Sequence, residues 1–542
     1  MSRRLLPQIR WMILAAIFLG LGPSVVAQTK ATLQHRTVHA GRMRPFPHLS
    51  DADIEIRSSM NWSGYTADEA PPYTSVQGSW VVPNVSFAGA AAGVTQEASS
   101  NWVGIGGLHD NDPGLIQIGT EQDAFSDGST DYFAWFEMLP AISVVINQPI
   151  APGDEMTASV QCVANCTAST QTWLLVLVDQ TQGWTFTKSV DYASLLASAE
   201  WITEAPTESD DKTIFPLADF SQTTFNSVAV NGSNPDFDFA NDVMAMINPG
   251  GQVSTPSVPA PSGAFTSCWS TGSKLGPCSF SGVAPLVAPG LVSAMLPSSR
   301  SITLGSTATV FATIINPNPV QANGCTIEPA ADPSTQLNAH FQITNPSNNH
   351  VTGALDVPAS IAANDGTQSF LVAMTPAAAV DAATLDFVYS CQGMMPATIF
   401  TGINSLAFSD SATPTPDVIA LIATAANDGT VHIAGSAGVG AFALATENLG
   451  SAGPLTLSVN DAGAGLPLTV AVCQTGTASQ CLAPPASSLT LNIANEATPT
   501  FSVFVTAEGD IPFSPEASRL FAQFTDSNGI VRGSSSVAVT TH

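Results

Sequence analysis

The chain has 542 residues, a length that predicts two to four domains, and it carries 42 acidic but only 14 basic side chains. Eight of the basic and three of the acidic residues lie in residues 1–57, which leaves a net charge of −33 for residues 58–542. Such a surface repels a phosphate backbone, which argues against nucleic acid as a partner.

The scarcity of basic side chains after residue 57 indicates an acidic working environment. Most carboxylates are neutral at pH 3, so positive charge would then come from six Lys/Arg, five His and the chain terminus. Self-repulsion, which drives acid unfolding, would therefore stay weak. Ordinary solubility at neutral pH is the alternative explanation for the same composition.

The first 27 residues have the pattern of a secretory signal peptide. Arg3, Arg4 and Arg10 form a basic start, and an apolar run over 11–22, too short to span a bilayer, precedes a small-residue cleavage site before Gln28. No later apolar run is long enough for a membrane span. We therefore expect a protein without a membrane partner that is secreted or held at the cell surface.

The next segment, residues 28–57, is basic and is predicted to be a propeptide. It carries five basic and three acidic residues and precedes a strongly acidic region. We hypothesise that opposite charges hold it across that region and inhibit it near neutral pH, and that acid loosens it by protonating the carboxylates. The alternative is a leader with no inhibitory role.

The rest of the chain has the pattern of an all-β protein. Short runs rich in Val, Ile, Thr, Phe and Trp alternate with Gly, Pro, Asn, Asp and Ser, as in β-sandwiches. All eight tryptophans after the signal lie between Trp62 and Trp269. This predicts a first domain over 58–283 and linkers over 284–290 and 413–416. The two tail segments, 289–408 and 417–542, are predicted to be immunoglobulin-like sandwiches on architecture alone.

Eight cysteines remain after export, an even number that suits an oxidising compartment. They fall in local pairs, and this spacing predicts four disulfides: Cys162 with Cys166, Cys268 with Cys278, Cys325 with Cys391, and Cys473 with Cys481. A metal site is disfavoured because the pairs are far apart and lack histidines at ligand spacing.

Familiar hydrolase signatures are missing from the first domain. There is no Gly-x-Ser-x-Gly, no His-Glu-x-x-His, and no Asp-Thr-Gly or Asp-Ser-Gly. The only histidine, His109, lies in a turn and is expected to be solvated, so a serine or cysteine triad is disfavoured. The candidates that remain are carboxylates and amides.

Three predicted strands supply those candidates. Alternation places Gln117 on one face of a strand over 115–119, and Glu200 and Glu204 on one face of a strand over 199–205. Glu137 shares a face with Phe133 and Trp135. For each residue alone, a solvated strand face is the competing interpretation; two acids on one face indicate exposure to water or to a cleft.

Taken together, these segments resemble the glutamic peptidase family, the eqolisins, over about residues 60–271. The matching motifs occur in the family's order: Asn61-Trp62-Ser63-Gly64-Tyr65, Val76–Pro83, Trp102-Val103-Gly104-Ile105, Ile116-Gln117-Ile118-Gly119, Ala134-Trp135-Phe136-Glu137 and Ala199–Glu204. Fungal members carry Asp where this chain has Gly106, and Asp where Glu121 stands.

The resemblance implies a lectin- or glucanase-like antiparallel β-sandwich and an acid endopeptidase that needs no cofactor. It makes Gln117 and Glu204 the catalytic pair, with Glu204 as general base and Gln117 as oxyanion donor. By the same carry-over, Trp102, Trp135, Glu137 and Glu200 would bind a protein or peptide substrate. Two alternatives stay open: a glycoside hydrolase or lectin-like binder using Glu137 and Glu204, and a non-catalytic surface adhesion protein.

Overall fold

The computed structural model describes residues 43–44, 57–89, 93–109, 111–207, 213–272, 277–281, 288–330, 337–380 and 382–542. The predicted signal peptide, most of the predicted propeptide and residues 284–287 of the first predicted linker lie outside the described residues. Within them the protein is nearly all β, which confirms the predicted fold class. No described helix is long and apolar enough to cross a membrane.

Residues up to 271 form fifteen strands and one four-residue helix. The strands are β1 Arg57–Ser59, β2 Trp62–Ala67, β3 Ser75–Val81, β4 Gln96–Gly106, β5 Leu115–Phe125, β6 Thr130–Met138, β7 Val144–Ile146, β8 Glu155–Ala164, β9 Gln171–Asp179, β10 Trp184–Tyr192, β11 Ala199–Glu204, β12 Gln222–Val230, β13 Val243–Ile247, β14 Gln252–Pro256 and β15 Phe265–Thr271. The helix, α1 Phe239–Asp242, begins where the Asp238 side chain accepts a hydrogen bond from the Ala240 N–H.

These strands form two sheets joined by one bent strand. The pairing order is β10-β9-β8-β3-β12-β15-β14-β13-β2-β11-β4-β5-β6-β7, with β1 added beside β13. The first half of β12 pairs with β15 and its second half with β3. The register shifts between Asn226 and Ala229, where Ser227 has a φ of 49°. A bulge of this kind bends a strand and lets it pass from one sheet to the other.

Alternation along each strand decides which side chains fill the core between the sheets. In β9, Trp173, Leu175 and Leu177 point into that core, whereas Leu174 and Val176 point outward. In β5, Ile116 and Ile118 point inward, on the face opposite Gln117. The opposite face of β4, β5, β6 and β11 therefore carries the candidate catalytic side chains.

The tail contains two further sets of sheets, each around its own apolar cluster. The strands are β16 Val292–Leu296, β17 Ser299–Thr303, β18 Ala308–Asn316, β19 Ala322–Pro329, β20 Leu337–Thr344, β21 Ala359–Ile361, β22 Gly366–Pro376, β23 Ala383–Leu385, β24 Phe387–Gln392, β25 Leu406–Ser411, β26 Val418–Thr424, β27 Thr430–Ile433, β28 Val439–Asn448, β29 Gly453–Asn460, β30 Leu468–Thr475, β31 Ser488–Ile493, β32 Thr500–Ala507, β33 Arg519–Thr525 and β34 Val531–Thr541. The immunoglobulin-like topology and the domain boundaries stay predictions.

The two tail segments are joined by buried polar contacts. Arg532, only 4% exposed, pairs with Asp526 at 2.9 Å and donates to the hydroxyls of Ser301 and Ser409. Because Ser301 lies in β17 and Ser409 in β25, the Arg532 guanidinium joins one set of sheets to the next.

The outward face of β9 is covered by the first tail segment. Leu174, Val176 and Val178 pack with Val388 of β24. The Thr185 hydroxyl donates to the carbonyl oxygen of Cys391 at 3.2 Å. The tail therefore covers the sheet that lies opposite the candidate catalytic face.

All eight cysteines are described and all are paired as predicted, which confirms the four disulfides. One bond, between Cys325 and Cys391, joins β19 to β24 across a sequence separation of 66 residues. The other three close loops of ten residues or fewer, and they join Cys162 to Cys166, Cys268 to Cys278, and Cys473 to Cys481. Each of the three segments into which the sequence divides the chain therefore carries at least one covalent cross-link.

Candidate active site

Antiparallel pairing brings the candidate side chains onto one face of four adjacent strands. Gln117 of β5 stands opposite Gly104 of β4 on one side and opposite Glu137 of β6 on the other. Glu204 of β11 stands opposite Ser100 of β4. Residues opposite each other in neighbouring strands share a face, and so do residues two or four positions apart in one strand. Gln117, Glu137 and Glu204 therefore all project from the side of the sheet that faces away from the main core.

The carboxylate of Glu204 is held by two N–H donors. The Trp102 indole donates Nε1–H to Oε2 at 2.7 Å, and the Asn61 amide donates Nδ2–H to Oε1 at 3.1 Å. The Asn61 side chain is itself fixed, because its Oδ1 accepts from the Ser59 hydroxyl at 3.0 Å. Donors on both oxygens fix the direction of the Glu204 carboxyl group.

The amide of Gln117 is oriented by its cross-strand neighbour. Its Nε2 donates to Glu137 Oε2 at 2.8 Å, and both side chains are fully buried. The solvated strand face considered for Gln117 is therefore wrong. An amide nitrogen has two N–H groups, so a bond to Glu137 fixes the plane in which the second N–H points.

Two glycines provide the space in which the Trp102 indole lies. A Cβ at Gly104 would come within 3.0 Å of both the Gln117 Cβ and the Trp102 ring, and a Cβ at Gly119 would come within 2.5 Å of the Trp102 Cβ. Side chains at these positions would displace the indole that binds Glu204. Gly104 and Gly119 thus belong to the site through the volume they leave empty.

The tryptophans form an apolar cluster beside the two polar groups. Trp62, Trp102, Trp135, Phe133 and Ile202 belong to it and are at most 2% exposed. The rings of Trp62 and Trp102 meet edge to face with centroids 5.0 Å apart. We call this cluster the tryptophan pocket. The face therefore combines the carboxyl groups of Glu204 and Glu137, the amide of Gln117 and a large apolar surface.

A further carboxyl group, that of Glu121, lies near Glu204 and Glu137. Burial raises the pKa of Glu121 well above its ordinary value, and the charges of Asp123, Glu204 and Glu137 raise it further. A protonated Glu121 adds no negative charge to the cluster. Since its pKa is raised in the folded state, its stabilising contribution is present in acid and is lost as the pH rises through the raised value.

Glu200, predicted to bind substrate, lies near a different group of acids. It is fully buried, and burial raises its pKa well above the ordinary value; the Ser198 hydroxyl opposes this effect, and Asp112 and Asp68 reinforce it. Both Glu200 and Glu204 are fully buried, so of the two expected surroundings, water or a cleft, exposure to bulk water is excluded. A role for Glu200 in substrate binding stays a prediction.

Other groups do not add to the site. The His109 side chain is 40% exposed, and its Nε2 lies 3.7 Å from Asp68 Oδ2, in agreement with a solvated turn. Among the described residues, no three His, Cys, Asp or Glu side chains are grouped so that they could hold a metal ion.

Comparison with known proteins adds independent information. Residues 60–268 match the sequence model of the Peptidase A4 family. The chain is also 27% identical over 213 residues to aspergillopepsin-2 of Aspergillus niger, an alignment that takes in 35% of this chain and 73% of that protein. The matched segment contains Gln117, Glu137 and Glu204, and the tail lies outside it.

Sequence reasoning missed the part played by Asn61. It belongs to a motif that supports the family resemblance, yet its contact with Glu204 joins residues 143 positions apart. Its position directly before Trp62, in the first motif of that resemblance, was the available signal. Local pattern gives no information on which distant strand such a residue meets.

Proposed function

We propose that the protein is a secreted endopeptidase that hydrolyses peptide bonds in acid through Gln117 and Glu204, because residues 60–268 match the sequence model of the Peptidase A4 family. The observation that carries this proposal is the pair of N–H donors, from Trp102 and Asn61, on the two oxygens of Glu204. Export is supported by the four disulfides, which persist in oxidising compartments.

In the proposed reaction Glu204 is the general base. Its carboxylate takes a proton from a water molecule, whose oxygen forms a bond to the scissile carbonyl carbon while the C=O electron pair moves onto oxygen. The second Gln117 N–H donates to this oxyanion, and Glu137 holds the amide in place. Re-formation of the C=O bond breaks the C–N bond, and Glu204 returns its proton to the leaving amine.

Acid operation is consistent with these groups. A glutamate is ordinarily ionised above about pH 4.3, and a neutral amide donor keeps its N–H groups at any pH in this range. Protonation of Glu121 in acid lowers the negative charge around Glu204, which would otherwise repel the developing oxyanion. The proposed reaction therefore needs an ionised Glu204 beside a neutral Glu121.

Two substitutions test the assignment. We expect Glu204→Gln and Gln117→Ala to abolish hydrolysis of a denatured protein at pH 3–4, with losses in kcat of about a hundredfold or more for the amide donor. Glu200→Gln tests the choice between the two glutamates of this strand, and we expect it to change KM while kcat stays close to that of the parent, as for a residue that only binds substrate. Near-ultraviolet circular dichroism should be unchanged in all three. Retained activity of either catalytic variant would overturn the assignment.

The same preparation separates the alternative functions. The chain is incubated at pH 3–4 with denatured protein and with β-glucans, in the presence of pepstatin. Peptide release supports the endopeptidase. Sugar release would instead indicate a glycoside hydrolase acting through Glu137 and Glu204, and the absence of both products would favour a non-catalytic adhesion protein.

A further inference from the structure

A cavity of about 510 Å³ lies on the outward side of β3, β8 and β9, in the sheet opposite the candidate catalytic face. Its other wall comes from the first tail segment and includes Leu291 and Pro396. Ligand sites in proteins commonly have volumes of roughly 300–1,000 Å³. We call this cavity the rear groove. Its size is that of a ligand site, and a ligand held there does not cover the candidate catalytic face.

The floor of the rear groove is a grid of amide and hydroxyl side chains. Gln77 of β3 stands opposite Ser159 of β8, and two residues further along the strands Ser75 stands opposite Gln161. All four are half-buried and line the groove. Within the described part of the chain, none of these four side chains has a hydrogen-bond partner. Amides and hydroxyls each offer donors and acceptors, so the floor can exchange hydrogen bonds in both directions.

The next cross-strand pair on the same face is satisfied within the protein. The Thr157 hydroxyl accepts a hydrogen bond from the Ala288 N–H at 3.1 Å, and the Ser79 hydroxyl donates to the Asn226 carbonyl oxygen at 3.1 Å. Where this face is covered, its polar side chains are therefore bonded internally. Those of the groove floor are left for an outside partner, and a ligand that supplies hydrogen bonds can replace solvent there.

Apolar side chains flank the grid. Leu174 and Val176 continue its two rows on β9, and Leu291, Met395 and Pro396 line the groove from the tail. A ligand in the groove therefore meets amides and hydroxyls on the floor and C–H groups on the walls.

The rear groove has neither charge nor a free strand edge. No Asp, Glu, Lys, Arg or His is among the described residues that line it, although residues 58–542 carry a net charge of −33. β3 pairs with β8 and β12, and β8 pairs with β3 and β9, so neither backbone can accept an added peptide strand. The groove therefore offers nothing to an ionic ligand, and recognition must come from side chains.

We propose that the rear groove is a binding site for a neutral oligosaccharide. Each sugar hydroxyl is both a donor and an acceptor, as are the side chains of the floor, and the C–H groups of a sugar ring match the apolar walls. The site is separate from the face that carries Gln117 and Glu204. Binding there does not depend on the proposed endopeptidase function.

Binding is measured by isothermal titration calorimetry on the full-length Glu204→Gln chain at pH 6, which we expect neither to digest itself nor to cleave a sugar. The probes are cellohexaose, laminarihexaose, xylohexaose and N-acetylchitohexaose, and hexagalacturonate is the charged control. We expect at least one neutral hexasaccharide to bind at one site per chain and the charged sugar to give no heat of binding. The proposal is overturned if no neutral sugar binds, or if hexagalacturonate binds as tightly.

The amides of the floor are tested with Gln77→Ala and Gln161→Ala. We expect each to weaken sugar binding about tenfold, because the hydrogen bonds of one amide are lost. Gln480→Ala is the matched control, since Gln480 is exposed in the second tail segment, and it should bind as the parent does. The thermal midpoint without sugar should be the same in all three, because the two groove amides bond to no described residue. Equal affinities in the groove variants and the control would rule out this site.

Blocking the groove separates it from the catalytic face. Ser159→Phe places a ring in the groove, and we expect it to abolish sugar binding while peptidase activity, measured with Glu204 intact, stays that of the parent. If Ser159→Phe binds sugar normally and Trp135→Ala does not, the sugar lies in the tryptophan pocket and the proposal fails. Loss of peptidase activity in the parent itself would refute only the proposed function, because the calorimetry needs no catalysis.

A peptide is the competing occupant. A neutral hexapeptide of alternating glycine and glutamine is titrated into the same chain, and we expect no binding, because the groove has no free strand edge to pair with a peptide backbone. Peptide binding that Ser159→Phe abolishes, with no binding of the four neutral sugars, would overturn the saccharide assignment.

Discussion

The first tail segment should lose stability as the pH rises, and replacement of Asp386 by asparagine should prevent that loss. Asp386 lies between β23 and β24, where its neighbours Leu385 and Phe387 are in the apolar cluster. It is 7% exposed and faces a crevice beside Val163 and Ala164 of β8. Burial alone raises its pKa to about 7.

The magnitude follows from the two pKa values. The pKa of the Asp386 carboxyl is 3.8 in the unfolded chain and about 7 in the folded chain. At 1.36 kcal/mol per pH unit, this difference amounts to about 4 kcal/mol of stability. Because the folded value is the higher one, this contribution is fully present below pH 3.8 and is lost as the pH rises through about 7. An asparagine has nearly the same shape and no charge to lose.

The assay is urea unfolding of the Glu204→Gln chain, which we expect not to digest itself, at pH 4, 6 and 8. We expect Asp386→Asn to match its parent at pH 4 and to be more stable by up to about 4 kcal/mol at pH 8 in the transition of the first tail segment. Asp365→Asn is the control, because Asp365 is exposed in the same segment and its positive φ suits asparagine. A parallel pH dependence in Asp386→Asn and its parent would refute the burial argument.

Three further changes test the site and the tail. Glu137→Ala should lower kcat about tenfold to a hundredfold with little change in KM, since it frees the Gln117 amide to rotate, and Glu137→Gln should restore part of the rate; equal rates for the two variants would exclude positioning. Gly104→Ala should lower peptidase activity at least tenfold through the 3.0 Å approach to Gln117 and the indole ring, and an active variant would show that the strand yields. Arg532→Met should destabilise the tail by about 1–3 kcal/mol because it removes the charged donor to Asp526 and to the hydroxyls of Ser301 and Ser409, and a thermal scan that shows no shift would contradict this.

The sequence predicted the local features of the fold well. The pattern of short strands, the placement of Ile116 and Ile118 opposite Gln117 and the four disulfides follow from composition, alternation and cysteine spacing along the chain. The bend in β12 could not be predicted from the sequence. The bulge at Ser227 depends on this strand pairing with a different sheet in each half, which no local pattern indicates.

For the site, the sequence supplied the residue types and the tertiary structure supplied their partners. Gln117 and Glu204 could be selected from the first domain because other catalytic signatures were missing there and because the flanking motifs matched a family. The donors on Glu204 come from Asn61 and Trp102, which lie 143 and 102 residues away in the chain. No local pattern gives such pairings, because they depend on the order and register of the strands in the sheet.

The sequence by itself determined an acidic, disulfide-paired, all-β chain with a glutamine and a glutamate on strand faces of the first domain. Only the tertiary structure decided that these faces are closed and that Glu121 and Glu200 are buried among other acids. The physical reason is that composition, alternation and spacing act along the chain, whereas burial and the charge around a carboxyl are set by whichever distant segments pack against it.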